Sequence, residues 1–173
     1  LISNDDTNIL VDAGVSASKI DKALAEIGID ICELDGIVVT HEHIDHIRSI
    51  GVLSRSNNIP VYANGATMDI IANTVGDLHE HNKRIIECSK SFEIRSMNIT
   101  PFAIPHDATS PMGYTIDTGN CKVSVATDTG HITKSMLVNM SKSEAVLIEA
   151  NHDVDMIKNG KYPYMLKKRI LSD

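Results

Sequence analysis

Six consecutive residues constrain this chain more than any other stretch: His41-Glu42-His43-Ile44-Asp45-His46. They follow Gly36-Ile37-Val38-Val39-Thr40, a short apolar run of the kind that forms a buried strand. Behind them come Ile47, Ile50 and Leu53, spaced for one face of a helix. The polar run therefore occupies a strand-to-helix turn, where side chains project into a cleft and several can be aimed at one point. Imidazole and carboxylate are the donors that suit zinc, manganese or iron, and His41, His43, Asp45 and His46 supply four of them. As core residues, each would need its own buried polar partner. A merely solvated polar turn is the bland alternative, and the apolar strand just before it argues against that.

The rest of the composition sets the frame. At 173 residues the chain has the length of one domain, 1–173. Apolar residues make up 42% and charged residues 23%, enough for a real core. Aromatics are only 3%, with no Trp, so Ile, Val, Leu and Met must fill that core. No apolar run approaches the roughly 18 residues that a membrane span needs, and the start lacks a signal-peptide pattern. Cys32, Cys88 and Cys121 are odd in number and far apart, which fits neither a disulfide framework nor a thiolate zinc site and points to the cytoplasm. A net charge of −7 argues against general clamping of nucleic acid, although not against a local basic patch. The sequence opens at Leu1 without a methionine, inside a strand-like run, and stops at Asp173 after a helix-like one. An N-terminal strand and a C-terminal portion are accordingly expected to be missing.

Along the chain, residues 1–3 and 8–11 flank Asn4-Asp5-Asp6-Thr7 and predict a hairpin. Ser16 or Ser18 can cap a helix whose apolar face is Ile20, Leu24 and Ile27, ending at Gly28. Pro60 precedes a strand at 61–63, and 66–80 reads as a helix. From Arg84 the pattern becomes strand-like at 84–87, 92–95, 98–104, 112–117 and 121–127, with Thr118-Gly119-Asn120 as the clearest hairpin turn. A strand at 145–149 and a helix at 162–171 follow, with no repeat or linker. Strand–helix alternation followed by a hairpin-rich stretch predicts a mixed α/β (α+β) sandwich.

Thr40-His41-Glu42-His43-Ile44-Asp45-His46 resembles the T-H-x-H-x-D-H signature of the metallo-β-lactamase superfamily, whose fold is an αββα sandwich. Further marks occur in order: Asp12 in Leu10-Val11-Asp12-Ala13-Gly14, His106 after the middle strands, and Asp128 in Ala126-Thr127-Asp128-Thr129-Gly130. The resemblance implies two divalent metal ions, zinc or manganese first and iron as a further choice. His41, His43 and His106 would hold one, Asp45 and His46 the other, and Asp128 would bridge them. The family's remaining histidine lies on a later strand-to-helix turn. This sequence stops at Leu171-Ser172-Asp173 and is expected to supply six ligands of the usual seven. Ile104-Pro105-His106-Asp107-Ala108, Glu149-Ala150-Asn151-His152-Asp153 and the stretch from Tyr162 to Asp173 resemble the WalJ-like bacterial hydrolases. That group is related to the phosphodiesterase and nuclease branches, and 5′-exonuclease activity on DNA is attributed to it.

Each candidate has a plainer reading. Asp12 could simply end a strand, or it could accept a ring N–H and fix the orientation of a ligating histidine. His106 could be a loop histidine and Asp128 a turn acid, but their order among the motifs favours metal ligation. His79-Glu80-His81 imitates the first motif without the following Asp-His and reads as a solvated face, and His131 reads as surface. His152, after the strand at 145–149, could contact substrate or transfer a proton, or could serve only local hydrogen bonds. Lys158, Lys161, Lys167, Lys168 and Arg169 place five of the 16 basic residues within 12 positions. They form either a solvated helix side or a strip, with Lys167, Lys168 and Arg169 at its centre, that contacts a phosphodiester backbone.

The expected function is metal-dependent hydrolysis of a phosphodiester in nucleic acid, DNA before RNA, in the manner of a 5′-exonuclease. Asp45, Asp128 and His152 are the expected catalytic groups. Paired divalent ions about 3.5–4 Å apart lower the pKa of a shared water to roughly 7. RNA, a small cyclic or dinucleotide substrate, and a non-catalytic metal-binding domain are the alternatives, since metal donors alone do not separate them. No membrane partner is expected, and oligomeric state is not legible.

Overall fold

Side-chain alternation along the third strand sets the layers of the molecule. In the computed structural model, residues 1–149 and 154–171 are described, with the backbone alone for Arg169 and Ile170. Strands β1 (Ile2–Ser3) and β2 (Asn8–Val11) form the expected antiparallel hairpin. After α1 (Ala17–Glu26) come β3 (Gly36–Val38), α2 (Ile44–Ile47), α3 (Ile50–Asn57), β4 (Val61–Ala63), α4 (Gly65–Val75) and β5 (Lys83–Ile85). The strands from β2 to β5 are parallel, in the order β1-β2-β3-β4-β5. On β3, Ile37 faces Leu24, Leu53 and Ile71 of the helices, whereas Val38 faces the other way. A strand lined with apolar residues on both faces is the mark of a covered parallel sheet.

The second sheet is a meander of β6 (Phe92–Ile94), β7 (Met97–Ala103), β8 (Met112–Asp117) and β9 (Lys122–Ala126), closed by β10 (Ala145–Ile148) running parallel to β9. Its order is β10-β9-β8-β7-β6. Ile99, Tyr114 and Ile116 pack against Ile9 and Val38 between the sheets. On the outer face, Phe102, Ile104 and Ala126 are covered by Met136 and Met140 of α5 (Lys134–Met140). The result is the expected αββα sandwich. Burying each such aliphatic side chain stabilises by about 1.5–3 kcal/mol, and Ile99→Ala, at 0% exposure, would cost about 2–5 kcal/mol. Tyr114 carries its polar end into the same layer by donating its hydroxyl to the Val39 carbonyl. The chain continues through α6 (Val154–Asn159) and α7 (Tyr164–Ile170). No helix among the described residues is long and apolar enough to cross a membrane.

Several boundaries differ from expectation for visible reasons. The single helix expected across Ile47, Ile50 and Leu53 is two. The His46 carbonyl, which Ile50 would use within one helix, accepts the Ala13 N–H at 2.7 Å. The Ser49 N–H donates to the Ala13 carbonyl at 2.9 Å rather than back along the helix. In α1, Ser16 is the cap residue, Ile20 and Leu24 are buried, and Ile27 is 61% exposed rather than part of the core face. The helix expected at 66–80 stops at Val75, because Gly76 takes φ +86° and the Arg55 guanidinium caps the Val75, Gly76 and Asp77 carbonyls. Helices α5 and α6 have no counterpart in the sequence reading.

Candidate metal centre

Four loops converge because each leaves the C-terminal end of a strand at one edge of the sandwich. Asp12 follows β2, His41 to His46 follow β3, His106 follows β7 and Asp128 follows β9. Backbone bonds lock the loops together. The Asp12 N–H donates to the Val38 carbonyl (2.9 Å), Met112 N–H to the Thr40 carbonyl (2.9 Å) and Gly130 N–H to the Pro105 carbonyl (2.8 Å). Asp12 and Asp128 both occupy the left-handed region, at φ 60° and 52°. Aspartate tolerates that conformation better than most residues, and held outliers of this kind gather at functional sites.

Asp12 organises the cluster without joining it. Its Oδ1 accepts the Thr40 N–H (2.8 Å), and its Oδ2 accepts the Thr40 hydroxyl (2.7 Å) and the His46 Nδ1–H (2.8 Å). The single hydroxyl proton of Thr40 is thereby committed. Its contact with His41 Nδ1 at 2.9 Å must then be donated by the imidazole. As neutral rings, His41 and His46 are both left with bare Nε2 atoms directed at the cluster.

Those atoms meet others of their kind. His41 Nε2 and His106 Nε2 lie 3.0 and 3.1 Å from His43 Nδ1. One proton on His43 Nδ1 can serve only one of those contacts at a time. Asp128 Oδ2 lies 2.6 Å from His46 Nε2 and 3.3 Å from His41 Nε2. Either a second proton on His46 or a cation satisfies the shorter contact. Two donor groups result, His41–His43–His106 and His41–His46–Asp128, each with its ligand atoms within 4.8 Å of one another. Nitrogens at about 2.0–2.1 Å from one tetrahedral ion stand about 3.3 Å apart, so the imidazole spacings fit a divalent ion.

The electrostatics set the protonation such an ion needs. Burial is the largest influence on His41 and holds its pKa down at about 4, helped by the imidazoles of His46, His106 and His43. Burial also lowers His106, against the pull of Asp107 and Asp128. Burial works to lower His46 too, but the Asp12 hydrogen bond and charge, with Asp128 and Asp45, outweigh it and raise the net value. For Asp128 burial acts upward, yet a hydrogen bond with Glu149 and the charges of His46, His41 and His106 carry it downward. Neutral His41 and His106 beside an ionised Asp128 are the ligating forms.

The structure brings together His41, His43, His46, His106 and Asp128, with Asp12 behind them. Asp45 does not join either group: its carboxylate is 77% exposed and stands 4.0 Å from His46 Nε2. His152 lies outside the described residues. Lys168 is exposed, whereas Lys167 donates to the Lys158 carbonyl at 2.7 Å, tying α7 to α6; the Arg169 side chain lies outside the described residues. His79 and His81 stack on each other at the surface with centroids 5.4 Å apart, and His131 is exposed. Sequence reading gave no role to Thr40, whose hydroxyl sits between Asp12 and His41, or to Glu42, which accepts from the Thr109 N–H and hydroxyl at 2.6 and 2.7 Å. A threonine closing a buried apolar strand was the available signal for the first.

The fold and the donor set define a class of metal-site αββα proteins, and comparison with known proteins agrees. Residues 7–164 match the family profile of the beta-lactamase superfamily domain, and the chain belongs to that family. Among curated relatives, the Bacillus anthracis protein named exodeoxyribonuclease YycJ is 36% identical over 172 residues, covering 99% of this chain and 65% of that protein. The Streptococcus pneumoniae protein named exodeoxyribonuclease WalJ is 39% identical over 167 residues, covering 95% of this chain and 62% of that protein. The chain thus spans less than two thirds of the length of these relatives. Among solved structures, zinc-bound PqqB from Methylobacterium extorquens aligns with a TM-score of 0.75 at 16% identity, over 94% of this chain and 63% of that one. The expected resemblance to WalJ-like proteins is borne out by these relatives. Divalent metal ions are what membership of the family implies, and the residues present fit them.

Proposed function

We propose that this chain forms the catalytic domain of a metal-dependent phosphodiesterase that degrades DNA from the 5′ end. The observation that carries the reading is the paired donor set sharing His41, with Asp128 Oδ2 between His46 and His41. Support for DNA comes from the two exodeoxyribonuclease-named relatives. His41, His43 and His106 would hold one ion and His46 a second, with Asp128 serving both. Asp45 would complete the second by swinging in from its exposed position. Divalent ions bound there would supply Lewis acidity and a water acidic enough to attack near neutral pH. Asp128 would orient that water, Asp12 would hold His46 and Thr40 in register, and His152 would protonate the leaving oxygen.

A nucleic-acid substrate also needs positive charge in a protein of net charge −7. Lys158, Lys161 and Lys168 are exposed on the 158–169 segment, which contains no acidic residue, and would meet the backbone there with Arg169. Lys167 has the smaller part, given its bond to Lys158. Cys32, Cys88 and Cys121 are all free and exposed thiols, which suits a reducing cytosol. We take residues 1–173 as one domain and zinc or manganese as the native ions.

The test is hydrolysis of end-labelled DNA and RNA strands by the purified protein with zinc or manganese, beside a chromogenic phosphodiester. Release of nucleotides from the 5′ end of DNA, abolished by chelation, is the expected result. Preference for RNA would shift the substrate assignment. Inertness towards all three substrates with metal bound would leave a non-catalytic binding domain.

A further inference from the structure

His106 must be aimed at His43 from a loop that has almost no regular structure of its own, residues 104–111 between β7 and β8. Among the contacts that hold that loop are three clasps. Gly130 N–H donates to the Pro105 carbonyl at 2.8 Å, and Asn64 Nδ2 donates to the Ser110 carbonyl at 2.9 Å. The third comes from inside the histidine motif. Glu42, between His41 and His43, accepts both the Thr109 N–H (2.6 Å) and the Thr109 hydroxyl (2.7 Å) on Oε1. Its Oε2 accepts from the Thr67 hydroxyl at 3.5 Å, and the Thr67 hydroxyl in turn accepts from Asn64 Nδ2 at 3.0 Å. One carboxylate therefore joins the loop of His41 and His43 to the loop of His106, across 67 residues of sequence.

We propose that Glu42 is a positioning residue for the His41–His43–His106 donor group: its clasp on Thr109 sets the spacing of His106 from His43 and so the affinity for the ion. The inference rests on the metal reading above and adds a residue that never touches the ion. The physical argument is local. The His106 Nε2 to His43 Nδ1 distance of 3.1 Å is held between two loops, and Glu42 links them at Thr109, three residues beyond His106. Charge-assisted bonds from a carboxylate to an N–H and a hydroxyl are the stronger kind of hydrogen bond. Releasing them lets the His106 loop relax while His41 and His43 stay fixed by Thr40 and the turn into α2.

Cobalt(II) titration of the metal-free protein, followed by its visible absorption band, reads the donor group without relying on activity. Glu42→Ala is expected to weaken Co(II) binding by about 10–100-fold, the range for lost supports of metal ligands. Glu42→Gln, which keeps an oxygen to accept from Thr109, is expected to restore affinity to within about 3-fold of the parent. Thr109→Val, which retains the N–H bond alone, is expected to fall between them. Parent-like affinity and spectrum in Glu42→Ala overturn the inference while leaving the metal reading intact. Equal weakening in the Gln and Ala variants also overturns it, since charge rather than the clasp would then matter. If Glu42→Ala does not fold, Thr109→Val decides: parent-like affinity overturns the proposal, and weakened affinity at an unchanged melting temperature supports it. A parent protein that takes up no Co(II) would sink the metal reading and this inference together.

Discussion

Asp12 Oδ2 and His46 Nδ1 are 2.8 Å apart across 34 residues of sequence, and this contact joins the end of β2 to the helix that begins after β3. The same carboxylate holds Thr40 by both its N–H and its hydroxyl. Asp12 therefore fixes the tautomer of His46 directly and that of His41 through Thr40. Asp12→Asn keeps the shape but puts an amide N–H against groups that donate. Metal affinity, measured by competition with a chromophoric chelator, is expected to fall by about 10–100-fold. An unchanged affinity would mean that the histidines hold their orientation without it.

Gly14 explains why the loop after Asp12 is built as it is. A Cβ at this position would lie 1.4 Å from the Asp45 carbonyl oxygen and 2.3 Å from its carbon, both backbone atoms. Gly14→Ala is expected to cost at least about 3 kcal/mol or prevent folding, the severe end for one substitution. Gly119, at φ +85° with nothing near its missing Cβ, should lose only about 1–2 kcal/mol on the same change. Chemical denaturation of the two variants checks the contrast, and comparable losses would contradict the close approach.

The acid side of the stability profile follows from His41. Its folded pKa of about 4 lies below the ordinary 6.5. Between those values the unfolded chain binds a proton that the folded chain refuses, so stability declines as pH falls from about 6.5 towards 4. His46 acts in the other sense: its raised value gives a contribution complete below 6.5 that fades as pH rises through the folded pKa. Thermal melts of the metal-free protein from pH 8 to pH 4 should show the acid decline, made shallower by His41→Asn. Parallel curves for parent and variant would contradict the assignment.

Much of this was legible from sequence because the chemistry is concentrated. Four ligand-type residues in one six-residue turn could be read from pattern alone, and so could the continuous apolar run whose Ile37 and Val38 find opposite partners, whereas Asp12, His106 and Asp128 were legible only through the resemblance to the family. What escaped depended on distant backbone. The break between α2 and α3 arises from Ala13 capturing bonds at His46 and Ser49, which no local propensity records. Helix α5 is short and buries only Met136 and Met140, too few apolar contacts to set a period, although the Thr133 side chain caps it by accepting the Met136 N–H. Glu42 reads as the variable position of its motif, and only the fold reveals that it reaches Thr109.

The basic segment gives a separate test of substrate. Lys161 and Lys168 are exposed, unlike Lys167, which is engaged with Lys158. In Lys161→Glu/Lys168→Glu, KM on duplex DNA should rise and the log–log salt slope should fall by about 1.8, at about 0.9 per phosphate contact. Turnover of a small chromogenic phosphodiester should stay near the parent value, since contacts that hold substrate and transition state alike change KM rather than kcat. Equal loss on both substrates would make the segment a support of the fold instead.

Elemental analysis of the purified protein beside its His41→Ala variant tests the central claim most directly, because His41 belongs to both donor groups. The parent is expected to carry at least one equivalent of a transition metal, and the variant, still folded by circular dichroism, little or none. A parent with no metal above background, or a folded variant with the parent's full complement, would contradict a metal centre built on His41.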